Sequence, residues 1–203
     1  MKKMYFTQRL MAYLIDFFIV YLVISLFTGV ANMLVPTSEK VSKSEKELLE
    51  KYEELLKNPD NSNAEQFLDE QKENIYVIGR YGVPSLIIGI IVNIGYFGAF
   101  QFMNKGQTLG KKFVKIKIEE NNPDKKFTYV KSVIRAGLTY AVISDGLYVL
   151  IYLFLKPSNF MVPYAIVSMI AFLFKVTTIC MIAFRKDGRG LPDFIAGTHV
   201  VNA

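Results

Sequence analysis

The chain has no tryptophan, one cysteine and one histidine among its 203 residues. A lone cysteine cannot close a disulfide within the chain or supply a cysteine metal cluster. Cys180 lies inside an apolar run and reads as a small buried apolar residue. His199 reads as a surface residue rather than a ligand. There is no HExxH zinc motif, no GxSxG elbow and no cluster of metal ligands. An enzyme is therefore not expected, and neither is a metal or a cofactor. GQTLGKK (Gly106 to Lys112) has only three residues between its glycines and no Ser or Thr after its lysines, so nucleotide binding is excluded. A cleavable signal peptide is not expected either. The first apolar run is too long for one and contains Asp16.

What the chain does have is long apolar runs. Apolar residues make up 52% of the whole, a modest share that hides their segregation into blocks. The blocks run from about Leu10 to Val35, Ile75 to Met103, Val130 to Leu155 and Phe160 to Phe184. Each exceeds the ~18 residues that mark a transmembrane candidate. Lys156-Pro157-Ser158-Asn159 is a short turn between the last two, which predicts an antiparallel hairpin. The expected fold is all-α, a polytopic membrane bundle of four transmembrane helices forming a single domain over 1–203.

The intervening segments differ in charge. Residues 36–74 hold six lysines and eleven acidic residues and predict an acidic helical extracellular loop. Ser44 and Glu47 suggest a capping box there, Asn58-Pro59 a helix end, and residues 63–73 a second helical stretch. Residues 104–131 form a basic cytoplasmic loop with eight lysines and three acidic residues, including the turn Asn121 to Asp124. KFVKIKIEE alternates like a short strand, and Thr198 to Val201 is its candidate partner. Fourteen Lys and Arg residues fall on the side of the two termini and seven on the other. By the positive-inside rule both termini are cytoplasmic, in the plasma membrane. This topology accounts for the net charge of +6 without nucleic acid. The expected partner is the lipid bilayer.

Five ionisable residues stand within or close to the apolar blocks: Asp16, Arg80, Arg135, Asp145 and Lys175. Charges at membrane depth are expensive, so they face the bundle and pair. The expected pairs are Asp16 with Arg135, and Asp145 with Lys175 across a depth difference of ~9 Å. Arg80 is expected to snorkel outward. Two readings stand: the charges only hold the bundle together, or Asp16 and Asp145 line a polar path for protons or cations. Ser85/Gly89 and Gly95/Ala99 predict close helix packing, and Gly82 and Pro84 a bend. Tyr5, Tyr76, Tyr129 and Tyr152 are expected as interfacial aromatics. Asp193 is expected to cap a short helix or pair with Lys111, Lys112 or Arg9, with Arg9 the favoured surface partner.

Arg9 with Ile15-Asp16, GQTLGKK after the second span, and GLPDFIAGTHVV (Gly190 to Val201) together resemble the RDD family of bacterial integral membrane proteins. The resemblance makes Asp193 the later aspartate and covers most of the chain apart from the acidic loop. Arg135 and Asp145 fall where family members often carry an Arg and an Asp. Pro192 stands where a polar residue is common. The resemblance implies a transport-related membrane protein, with monovalent cation/proton exchange as one activity and regulation of another membrane protein as the alternative. Asp16 and Asp145 are then candidate carriers, with Arg9, Arg135, Lys175 and Asp193 as electrostatic partners. Four spans are few for a monomeric carrier, so a homo-oligomer, or a complex with another membrane protein, is expected.

Overall fold

The computed structural model describes residues 6–34, 37–57, 64–122 and 124–203. Tyr5, Asn58-Pro59 and Pro123, named above, lie outside them. Helix α1 (Phe6–Leu34) is 29 residues long, ~43 Å at 1.5 Å per residue. That is enough to cross ~30 Å of hydrocarbon with room for tilt. α2 (Glu39–Lys57) and α3 (Ala64–Tyr81) form an antiparallel polar pair. α4 (Val83–Met103) follows at a break at Gly82. α5 (Leu109–Phe113), β1 (Ile116–Glu120), α6 (Tyr129–Thr139), α7 (Val142–Phe154), α8 (Met161–Phe184), α9 (Leu191–Ala196) and β2 (Thr198–Asn202) complete the order.

Three of these helices, α1, α4 and α8, are each long and apolar enough to cross a membrane. α6 and α7 together pass the same test as one span bent by 65°. The fold is thus an all-α bundle with three to four membrane-crossing helices. Its large apolar side chains point outward, with Phe18 61% and Leu26 68% exposed on α1. Water would make such a surface costly, whereas lipid tails are as apolar as the side chains themselves.

The bundle has two ends. The terminal end carries α5, α9 and the two strands; the distal end carries α2 and α3. The strands pair antiparallel, with Ile118 opposite Val200 and Lys117 opposite Val201. Alternation puts Ile116 and Ile118 inward, where they meet Ala12 of α1 and Val200. At mid-depth Val20, Phe97 and Ala136 form a second core, and Tyr140 stacks on Phe97 at 3.3 Å.

Several expectations change. α2 begins at Glu39, so Ser44 lies inside it and is no capping residue. The Ser38 hydroxyl accepts from the Val41 amide instead. The second span starts at Val83, because residues 75–81 belong to α3. Ile94–Phe100 within α4 is π-helical. The Gly95/Ala99 step is not a packing seam: a Cβ at Gly95 would touch nothing, whereas one at Gly98 would press on Val133 at 3.2 Å. Tyr76 and Tyr152 are not interfacial. They are buried with Phe160, and the Tyr76 hydroxyl donates to the carbonyls of Tyr152 and Leu155. Arg80 donates to that same hydroxyl. The third span is broken at Ala141, which adopts φ 62, a left-handed conformation rare for alanine.

The distal cluster closes on Gly79. A Cβ there would overlap the Tyr152 ring, which Tyr76 and Phe160 hold in place. Gly79→Ala is expected to cost ~1–3 kcal/mol by overpacking, read as a lower thermal midpoint of the detergent-solubilised protein than that of Gly82→Ala.

Candidate functional site

Lys105 and Gly106 turn the chain back after α4 with φ 55 and φ 85. A Cβ at Gly106 would also run into the Ile118 carbonyl, so only glycine fits. The reversal leads to Thr108, whose hydroxyl accepts from the Lys111 amide and caps α5. The same hydroxyl donates to Asp16 Oδ2 at 2.5 Å. The Gly110 amide donates to Asp16 Oδ1 at 2.8 Å, and the Tyr96 hydroxyl from α4 donates to the same oxygen at 2.7 Å. Asp16 is fully buried with these three donors. A Cβ at Gly110 would meet the Ala12 carbonyl and the Asp16 carboxylate, so GQTLGKK docks flat on α1 because residue 110 has no side chain.

The expected Asp16–Arg135 pair is not formed. Arg135 sits on α6 beside α9, while the α5 loop reaches Asp16 first. Arg135 Nη1 instead donates to Asp193 Oδ1, and to Thr198 Oγ1 at 2.7 Å. Arg9 Nη1 donates to Asp193 Oδ2 at 3.0 Å. The Gly190 amide also donates to Asp193 Oδ2, so the carboxylate caps α9 and bridges two arginines at once. Burial would raise the Asp193 carboxyl, but the charges of Arg135 and Arg9 and their hydrogen bonds hold it below its ordinary value.

Lys111 is the member that sequence reasoning passed over as a carrier. Its ammonium donates to Gln101 Oε1 at 2.6 Å; Gln101 donates to Ser132, which donates to the Phe97 carbonyl. Burial pulls the Lys111 ammonium down to about 7, with Asp16 pulling it up and Arg135 pushing it further down. Tyr96, Gln101 and Ser132 were also missed, and Thr108 and Gly110 were placed in the turn of GQTLGKK but not against Asp16. A Thr three residues before a backbone donor in GQTLGKK was the one available signal.

Asp145 and Lys175 form no ion pair within 4 Å, and neither side chain makes a hydrogen bond among the described residues; α7 leaves the bend at Ala141 on a different course from the straight span that the pairing assumed. Lys175 lines a cavity of about 290 Å³. So do Arg9, Asp16, Lys111, Arg135 and Asp193, whereas Asp145 does not. The remaining walls are mainly apolar side chains of α1, α6 and α8. Among the described residues no group of three or more His, Cys, Asp or Glu could hold a metal ion.

The model of the RDD family matches residues 5–197, nearly the whole chain. Searches of curated proteins and of solved structures give no match.

The Asp193 clamp has a testable pH dependence. Its folded carboxyl lies below the unfolded value of ~3.9. Its contribution is therefore full above that value and is lost as pH falls through the folded one. Asp193→Asn is expected to lower the thermal midpoint at neutral pH by an amount equivalent to ~3–5 kcal/mol, the usual cost of breaking a buried pair. The gap to the unmodified protein should narrow on acidification below about pH 4.

Proposed function

The chain belongs to the RDD family of membrane proteins, and from that we propose that it is a transport-related protein exchanging protons for monovalent cations. The observation that carries the reading is a buried Lys111 and a buried Asp16 on the wall of one cavity, which residues of the first, third and last spans also line. Ionisable groups in such a place mark substrate and ion pathways. An ammonium pulled to about 7 can release its proton near neutrality. Once Lys111 is neutral, Asp16 lacks that counter-charge and can take a monovalent cation in its place. Three of its roughly four lone-pair directions are occupied. The hydroxyls of Tyr96 and Thr108 can rotate to present their oxygens to the cation. One proton leaves as one cation enters. Asp145 remains the second candidate carrier, outside the cavity wall.

In this reading the protein is not an enzyme. It lies in the plasma membrane with both termini cytoplasmic and acts as a homo-oligomer. The outward apolar face of α8, which buries no residue in the described fold, supports assembly with further helices.

The test is cation-driven proton movement in proteoliposomes. The unmodified protein is expected to give flux that changes with pH around 7, the value to which Lys111 is drawn. Asp16→Asn and Lys111→Gln are each expected to lower it at least about tenfold, the ~1.4 kcal/mol scale of one lost charge interaction. Absence of flux from folded, reconstituted protein over a range of pH and cations would overturn the reading.

A second reading, an accessory protein that modulates another membrane protein, is favoured by α2. Leu49, Tyr52 and Leu56 are all at least half exposed there, while the other apolar residues of the helix, Val41, Leu48 and Leu55, are more buried. Their spacing makes a stripe that suits a partner helix. On this reading, a partner recovered by crosslinking should disappear when residues 38–73 are deleted; unchanged recovery would remove the loop as its docking site.

A further inference from the structure

The cavity contains more cationic chemistry than the exchange reading uses. Its wall carries Arg9, Lys111, Arg135 and Lys175 against Asp16 and Asp193, an excess of two positive charges with Lys111 protonated and of one with Lys111 neutral. Both carboxylates are already engaged by donors. Arg9 uses only Nη1; its Nε and Nη2 are buried with no hydrogen-bond partner. The Thr178 hydroxyl, also on the wall, is buried and unpartnered. Unpartnered N–H groups on a cation are the complement of an anion, not of a second cation.

The shape points the same way. α8 packs against α7 and α9, and none of its residues is buried. A gap therefore lies between α1 and α8, walled by Leu10, Tyr13, Phe174, Ile179 and Ile182. At about 290 Å³ it sits at the lower edge of the ~300–1,000 Å³ range of ligand pockets. Arg9 is in the first turn of α1, the depth of lipid headgroups. Tyr140 and Lys175 lie deeper, near the bend of the third span. A ligand that fills this space has an anionic head at the terminal end and an apolar tail running inward.

We propose that the cavity between α1, α6 and α8 binds an anionic phospholipid, its phosphate at Arg9 and Arg135 and one acyl chain along Tyr13, Phe174 and Ile179. The site goes beyond the exchange reading and does not depend on it. The bound phosphate offsets the excess positive charge of the wall. The chain fills the gap that protein leaves between the first and last spans.

The absence of tryptophan makes a single introduced one a unique reporter. Phe174→Trp puts it on the cavity wall. Phe172→Trp puts it at similar depth on the lipid-facing side of α8, where Phe172 is 64% exposed. Each full-length variant is reconstituted in phosphatidylcholine vesicles and titrated with dibrominated phosphatidylglycerol or dibrominated phosphatidylcholine. At position 174 the anionic lipid is expected to quench at mole fractions about fivefold lower or more, the scale of one basic side chain near an anionic headgroup. At position 172 the two lipids should quench alike. Adding Arg9→Gln to the 174 reporter should remove the preference. The comparison of positions 174 and 172 needs no charge variant and decides the matter even if Arg9→Gln fails to fold. Equal quenching by both lipids at 174 overturns the proposal, leaving unselected boundary lipid. An equal preference at both positions overturns it as a general surface field. Relief of quenching by inorganic phosphate overturns it by reassigning the cavity to a soluble anion. Flux plays no part in this readout, so the lipid site and the exchange reading fail separately.

Discussion

A carboxylate buried among membrane spans must be met by donors, and Asp16 meets three of them without a cation within 4 Å among the described residues. Two of the donors come from GQTLGKK, a segment that belongs to no span. The loop after α4 is thereby fixed against α1, and with it everything the loop positions. Thr108 caps α5, α5 delivers Lys111 to Gln101, and the chain then enters β1 at the depth of Ala12. Loss of Asp16 would leave the Thr108 hydroxyl and the Gly110 amide without their buried acceptor, which is how a residue of α1 bears on structure at the bundle's end.

Asp193 works on the same surface by a different balance. Two guanidinium groups and one amide converge on it, so the cluster of Arg9, Arg135 and Asp193 carries one positive charge rather than none. Asp16 and Lys111 form a second set, joined to the first by the cavity they share and by the charges of Arg135, Asp193 and Arg9 acting on Lys111. In the first set Asp193 is engaged on both of its oxygens, which suits a structural role. The second contains an ammonium drawn toward neutrality and suits a change of state.

Much of this was legible in the residues. Apolar runs of more than twenty residues have one stable solution in lipid, so the helical bundle followed from length alone. The strand pair followed from the alternation in KFVKIKIEE and THVV. The pairing of Asp16 was not legible. Depth along a helix says which side chains share a level, but not that a loop will fold back to that level first. Gly110 made that approach possible, and a glycine signals permission rather than a partner. The bend at Ala141 was equally hidden, since nothing in Thr139-Tyr140-Ala141-Val142 breaks a helix by composition. The aromatic cluster of Tyr76, Tyr152 and Phe160 was misread because tyrosine serves equally at an interface and in a packed corner with carbonyls to reach.

Asp193 follows every span in the chain, while Arg9 lies in the first turn of the first span. During synthesis Arg9 and Arg135 therefore enter the membrane before the carboxylate that joins them exists. Until then both guanidinium groups must stay with water or headgroups, which holds the terminal ends of α1 and α6 near the surface. Closure of the Arg9–Asp193–Arg135 cluster therefore waits on α9, which follows the last span in the chain.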